Sequence, residues 1–203
     1  TDFWTRLGAD EHLYAKYKAI DPASLNPEQK QAWKNAVRNF VLSGAELSGA
    51  AKERFAQIQE RTAELQQKFS ENALDATDVF AYYASAEELD GVPADVQQAA
   101  REAAAAEGKE GHKLSLKMPV YLPVMQFARS SALRERLYRA YVTRASDQAE
   151  GDAQRFDNGA LIREILALRQ EEAHLLGYAN FGEVSVAPKM AQSTAEVIGF
   201  LRD

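Results

Sequence analysis

The chain contains no cysteine, only three histidines, and no uninterrupted apolar run approaching eighteen residues. Without cysteine there are no disulfides and no thiolate metal ligands, which fits a reducing compartment. Without a long apolar run there is no candidate for a membrane-spanning helix of about twenty residues. The start, TDFWTRLGADEHLY, lacks both the basic stretch and the apolar segment of a signal peptide, so the expected location is cytoplasmic. Basic residues are in the minority as well: 24 Lys+Arg stand against 30 Asp+Glu, a formal net charge of -6, and the arginines are spread along the chain. Neither nucleic acid nor an anionic membrane surface is an expected partner.

What is present is helical periodicity, in a chain of 203 residues with 46% apolar side chains to build a core. Asn26 followed by Pro27 predicts a helix start, with NPEQKQAWKNAVRNFVLSG running to Gly44, and Ser48 caps a second helix reaching about Asp75. Phe55, Ile58, Thr62, Leu65 and Phe69 recur by three and four along it, a narrow seam on a helix about 40 Å long. The short turn between the two helices predicts an antiparallel hairpin. LDATDVFAYYAS suggests a short extended passage, and Pro93 opens an alanine-rich helix ending near Gly108. The period then changes: HKLSLKM alternates Leu114, Leu116 and Met118 with polar residues, and Pro119 and Pro123 punctuate VYLPVMQFA. Helices return at SALRERLYRAYVTRA and, after Asp157, at NGALIREILALRQEEAHLL, which Gly177 stops.

The expected fold class is therefore mainly α: a long antiparallel helical hairpin and further helices, with one short β-hairpin or strand pair near 112–128. Residues 1–203 read as one helical region, with the hairpin part in 1–91 and further helices plus the β element in 92–203. The chain begins at Thr1 without an initiator Met and ends in STAEVIGFLRD, where Ser193 and Glu196 make a capping box and Val197, Phe200 and Leu201 begin an apolar face. It is expected to be a piece of a longer protein.

Glu171 stands three residues before His174, the spacing with which a helix can offer two ligands to one metal. On a wheel of about 100° per residue, however, His174 lies opposite Ile165 with Arg163 and Gln170, away from the apolar arc. A solvated polar face is the expectation there, with no metal site. The same wheel places Arg169 and Glu172 inside the apolar arc, and on the preceding helix Arg134 and Arg144 fall within the face defined by Leu133, Leu137 and Tyr141. Charges pointing into a core need partners. Glu172 is therefore expected to be neutralised by Arg144, Arg134 or Arg169 in a structural ion-pair network. Planar guanidinium groups also suit a peptide carboxylate or carbonyl, which is the other role open to them.

Three long segments also carry a resemblance. In chain order they are RNFVLSGAELSGAAKERFAQIQERTAELQQKFSENALDAT, KMPVYLPVMQFARSSALRERLYRAYVTRASDQ, and DNGALIREILALRQEEAHLLGYANFGEVSVAPKMA. Together they resemble the thimet oligopeptidase family of zinc metallopeptidases over nearly the whole chain. One departure is Asn39, where an acidic residue is expected between Arg38 and Phe40. The resemblance implies a cytosolic endopeptidase that cuts short peptides in a deep channel between helical walls. It also implies a zinc ion held by an H-E-x-x-H helix and a downstream glutamate, with the motif's Glu as general base. His12, His112 and His174 are the only histidines, no two are four apart, and none precedes a Glu. The zinc thus belongs to the parent protein and not to this segment, which corresponds to the region before the catalytic one. No catalytic, metal or cofactor residue is carried over. The expected partners are short peptides and the C-terminal catalytic segment of the same chain. The competing reading is a non-catalytic helical scaffold or interaction module derived from the family.

Overall fold

The computed structural model describes residue 3 and residues 7–203. The reading of the first residues as neither leader nor initiator falls largely on 1, 2 and 4–6, outside the described residues. Among the described residues there are nine α-helices and one two-stranded sheet, so the chain is mainly α with a small β pair. It divides into two compact units, Thr1–Glu64 with Glu164–Asp203, and Leu65–Arg163.

In the first unit α1 (Glu11–Lys18) is capped by Asp10, whose carboxylate accepts from the Leu13 N–H at 2.9 Å. Helix α2 (Pro27–Leu42) begins where Asn26 and Pro27 predict, with a reciprocal box in which Asn26 and Gln29 each take the other's backbone N–H. The apolar face of α2, Val37, Phe40 and Val41, is covered by Leu13, Tyr14 and Tyr17 of α1, a helix absent from the sequence expectation. The Trp33 indole N–H donates to the Tyr17 carbonyl at 2.8 Å and fixes that crossing. At Asn39 the side-chain oxygen accepts from Arg38 at 3.1 and 3.3 Å, a hydrogen bond where the family pattern suggests an ion pair. The turn to α3 (Gly49–Val79) passes Gly44 at φ 82°, where an added Cβ would lie 2.9 Å from the Phe55 ring, so only glycine fits.

Along α3 the expected seam is buried at Phe55, Ile58, Thr62 and Leu65, but Phe69 is 38% exposed; Asn72 and Ala76 continue the buried stripe instead. The first unit also holds the later turns of α7 (Gly159–Leu175), α8 (Phe181–Val186) and α9 (Thr194–Arg202). The Ser193 hydroxyl caps α9 by accepting from the Glu196 N–H at 3.1 Å, while the Glu196 carboxylate takes the Gln192 N–H at 2.5 Å.

In the second unit β1 (Tyr82–Ala84) pairs antiparallel with β2 (His112–Leu114), placing Tyr82 opposite Leu114 and Ala84 opposite His112. Here the location of the β element needs correction. His112–Leu114 is a strand as expected, but its partner comes from FAYYAS, and Met118–Phe127 forms helix α5. Pro119 sits in its first turn, where a missing N–H costs nothing, and the buried side chains Tyr121, Val124 and Ala128 repeat by three and four within a run that is apolar at almost every position. The core of this unit joins Leu89, Val92 and Leu116 from connecting turns with Leu114 of β2, Ala100 of α4 (Ala94–Ala106), Val124 of α5, and Leu133 and Leu137 of α6 (Ser131–Thr143). Each fully buried leucine there contributes roughly 1.5–3 kcal/mol relative to exposure.

Candidate functional site

Glu172 is half-buried in the first unit, and it forms no ion pair among the described residues. The expected partners are Arg144, Arg134 or Arg169, and of these Arg169 is the one whose charge acts on it. Burial pushes its carboxyl above the ordinary glutamate value, while the Gln59 amide and the charge of Arg169, one turn back on α7, partly offset the effect. The Arg169 guanidinium lies over the Phe181 ring at 4.9 Å, with a buried Nε that has no partner among the described residues.

The other two arginines have their own reasons for facing a core, both within the second unit. Arg134 donates to the carbonyls of Ala128 and Arg129, the orphan acceptors at the end of α5, so a helix C-terminus rather than a carboxylate receives its charge. Arg144, at the end of α6, stacks its guanidinium 3.7 Å from the Tyr141 ring, which itself stacks on Tyr121 at 4.3 Å. Neither arrangement is visible from a helical wheel, which shows which face a side chain takes but not what it meets there.

Glu171 and His174 do not act together. Glu171 accepts a bidentate pair from Arg54, Nε to Oε1 at 2.6 Å and Nη2 to Oε2 at 2.7 Å, and this guanidinium holds its carboxyl below the usual range. His174 is exposed and accepts from the Gln170 amide at 2.7 Å. His112 is buried in β2, its Nδ1 3.4 Å from the Ala84 carbonyl. Among the described residues no three His, Asp or Glu side chains converge to hold a metal ion.

Within the second unit lies a cleft of about 580 Å³. One wall is the face of α6 bearing Glu135, Arg136, Arg139 and Thr143, spaced by three and four, with Arg144 after them. The other wall is the segment Glu150–Ala153, and Phe80, Tyr82 and Leu116 form apolar lining. Arg136 lies over the Tyr82 ring at 4.7 Å; the Tyr82 hydroxyl donates to Glu88 at 2.6 Å, which raises the phenol above its ordinary value. Of this wall the helical wheel marks Arg144 alone, because it shows charges on an apolar face and the other cleft charges are exposed.

The sequence matches Peptidase family M3 over residues 124–203. It is 42% identical over 208 residues to oligopeptidase A of Salmonella typhimurium, and equally to oligopeptidase A of Escherichia coli, in each case over 100% of this chain and 30% of the relative. Residues 124–203 are thus similar to peptidase family M3. A plant relative, the organellar oligopeptidase A (chloroplastic/mitochondrial) of Arabidopsis thaliana, is 39% identical over 98% of this chain and 26% of its own length. The chain thus spans about 30% of the length of the first curated relatives it matches. Among the described residues no helix is long and apolar enough to cross a membrane.

Proposed function

We propose that this chain is the helical, non-catalytic region of a cytoplasmic zinc-dependent endopeptidase of peptidase family M3 that hydrolyses short peptides. Its helices form a wall restricting access to a zinc site supplied by a C-terminal catalytic segment of the same polypeptide. The observation that carries this reading is the 42% identity to proteins named oligopeptidase A across all of the chain. The sequence supports the non-catalytic assignment, because three histidines without an H-E-x-x-H spacing cannot supply that motif. When bound in the intact protein, zinc would polarise the scissile carbonyl and activate water. The residues of this chain shape and charge the approach to it.

The test is the intact polypeptide of the parent reading frame, assayed on an internally quenched peptide of about ten residues with and without chelator. Chelator-sensitive cleavage of the peptide, with an unfolded polypeptide of a hundred residues or more left uncut, is the expected result. A reading frame without a downstream H-E-x-x-H, or equal cleavage of long and short substrates, contradicts it.

A further inference from the structure

Three guanidinium groups and three carboxylates line this cleft of the second unit, yet they scarcely neutralise one another. Only Arg139 and Glu135, both on α6, approach, at 3.7 Å. Arg136 and Arg144 on one wall, and Glu150 and Asp152 on the other, form no ion pair among the described residues. Opposite charges that face the same concavity would pair if they could reach; here they are held apart. Arg144 is fixed by its stack on Tyr141 at 3.7 Å, and Arg136 by Tyr82 at 4.7 Å, so both cationic heads are positioned before any ligand arrives. The cleft is therefore polarised, cationic along α6 and anionic along the 3₁₀ turn Gly151–Phe156 and the residue before it.

We propose that this cleft binds a short peptide by both of its free termini. The C-terminal carboxylate meets the guanidiniums of Arg136 and Arg144, and the N-terminal ammonium meets Glu150 and Asp152. A volume of about 580 Å³ lies within the range that holds a ligand of a few residues. Planar guanidiniums suit a carboxylate, and a pair of carboxylates suits an ammonium. A mononucleotide or simple anion would satisfy one wall and meet repulsion at the other, whereas a zwitterion satisfies both. The assignment deepens the peptidase reading and rests on it for the class of ligand. It adds a binding site for short peptides that this chain holds by itself.

The test uses the 203-residue chain and tetra-alanine, whose side chains add little, followed by amide chemical-shift titration. Free tetra-alanine is expected to shift resonances of α6 and of 149–153, and to bind at least about tenfold more tightly than its N-acetylated, C-amidated form, a difference of about 1.4 kcal/mol. Arg136→Gln should abolish discrimination against the C-amide alone, and the double variant Glu150→Gln/Asp152→Asn should abolish discrimination against the N-acetyl form alone. All three side chains are exposed, so the fold tolerates these changes, and Arg144→Lys, which keeps the charge, should retain partial binding. Equal binding of free and blocked peptide overturns the proposal. So does binding of acetate as tight as that of the peptide, shifts that map outside the cleft, or no binding at about 10 mM peptide. None of these outcomes depends on zinc or on cleavage by the intact protein, so loss of this site leaves the peptidase reading standing, and loss of that reading leaves the titration interpretable.

Discussion

Arg61 and Glu164 hold each other through two parallel N–H···O bonds at 2.6 and 3.1 Å, and two helical turns away Arg54 and Glu171 repeat the arrangement at 2.6 and 2.7 Å. The residue numbers rise by seven on α3 and fall by seven on α7, so the two helices run antiparallel there, with buried Ile58 and Leu168 between the rungs in sequence. Bidentate geometry is the form of surface ion pair that contributes to register rather than merely decorating it.

Removing both partners of one rung should cost less than the sum of the single changes. A double-mutant cycle on Arg61→Ala and Glu164→Ala, read by urea melts, should show favourable coupling at low salt. The coupling should shrink in about 1 M NaCl, where the screening length falls to about 3 Å. Coupling that is absent, or indifferent to salt, contradicts an electrostatic rung.

The same rungs give a pH dependence of definite sign. Arg54 and Arg61 hold Glu171 and Glu164 below the ordinary 4.5 of a glutamate in the folded state. Their contribution is fully present above the unfolded value and is lost as pH falls through the lower folded values. Melts from pH 7 to pH 3 should therefore show a loss of stability below about pH 4.5 that is reduced in Glu164→Gln/Glu171→Gln.

Glu172 carries the opposite sign. Burial raises its carboxyl above 4.5, so its protonated form is favoured in the fold and stability falls as pH rises through the folded value. Glu172→Gln should leave the chain as stable or more stable at pH 7, by up to about 1 kcal/mol, and should remove that pH dependence. A loss of several kcal/mol would restore the salt bridge that the sequence suggests.

Much of the architecture is legible from residue order, and the failures have identifiable physical causes. Asn26–Pro27 and Ser193 mark helix starts because they solve a local hydrogen-bonding problem that does not depend on the rest of the fold, while Pro93 marks one without capping it. Met118–Phe127 is misread because a run that is apolar at almost every position carries no period, and the choice of helix rests on which of those residues the second unit buries. The partners of Arg134 and Arg144 are hidden for a related reason. A wheel reports that a charge enters an apolar face, but the orphan carbonyls of α5 and the Tyr141 ring that receive it belong to tertiary packing.

Asn158 is a buried polar anchor that sequence reading passes over. Its side-chain oxygen accepts from Asn72 at 2.8 Å, its amide donates to the Phe69 carbonyl at 3.0 Å, and its backbone N–H donates to the Ala145 carbonyl at 3.0 Å. Asn158→Ala leaves the buried Asn72 amide without its partner and should cost about 1–3 kcal/mol in urea melts, whereas Asp157→Ala, exposed beside it, should cost within about 1 kcal/mol.

Gly91 sits at φ 91°, and an added Cβ would approach the Phe127 carbonyl to 2.3 Å, closer than real atoms come. Gly91→Ala is expected to destabilise by about 2 kcal/mol or more, because both the backbone conformation and the space oppose it. Gly108→Ala, with φ 68° but open space, should cost less. Thermal melts of the two variants side by side make the comparison.

The central claim is that this chain is the non-catalytic part of a zinc peptidase, and its most direct test is one experiment on the 203-residue chain: metal analysis after equilibration with zinc, with hydrolysis of an internally quenched peptide followed in the same sample. The account predicts no stoichiometric zinc and no turnover above buffer. One zinc per chain with chelator-sensitive cleavage would contradict it.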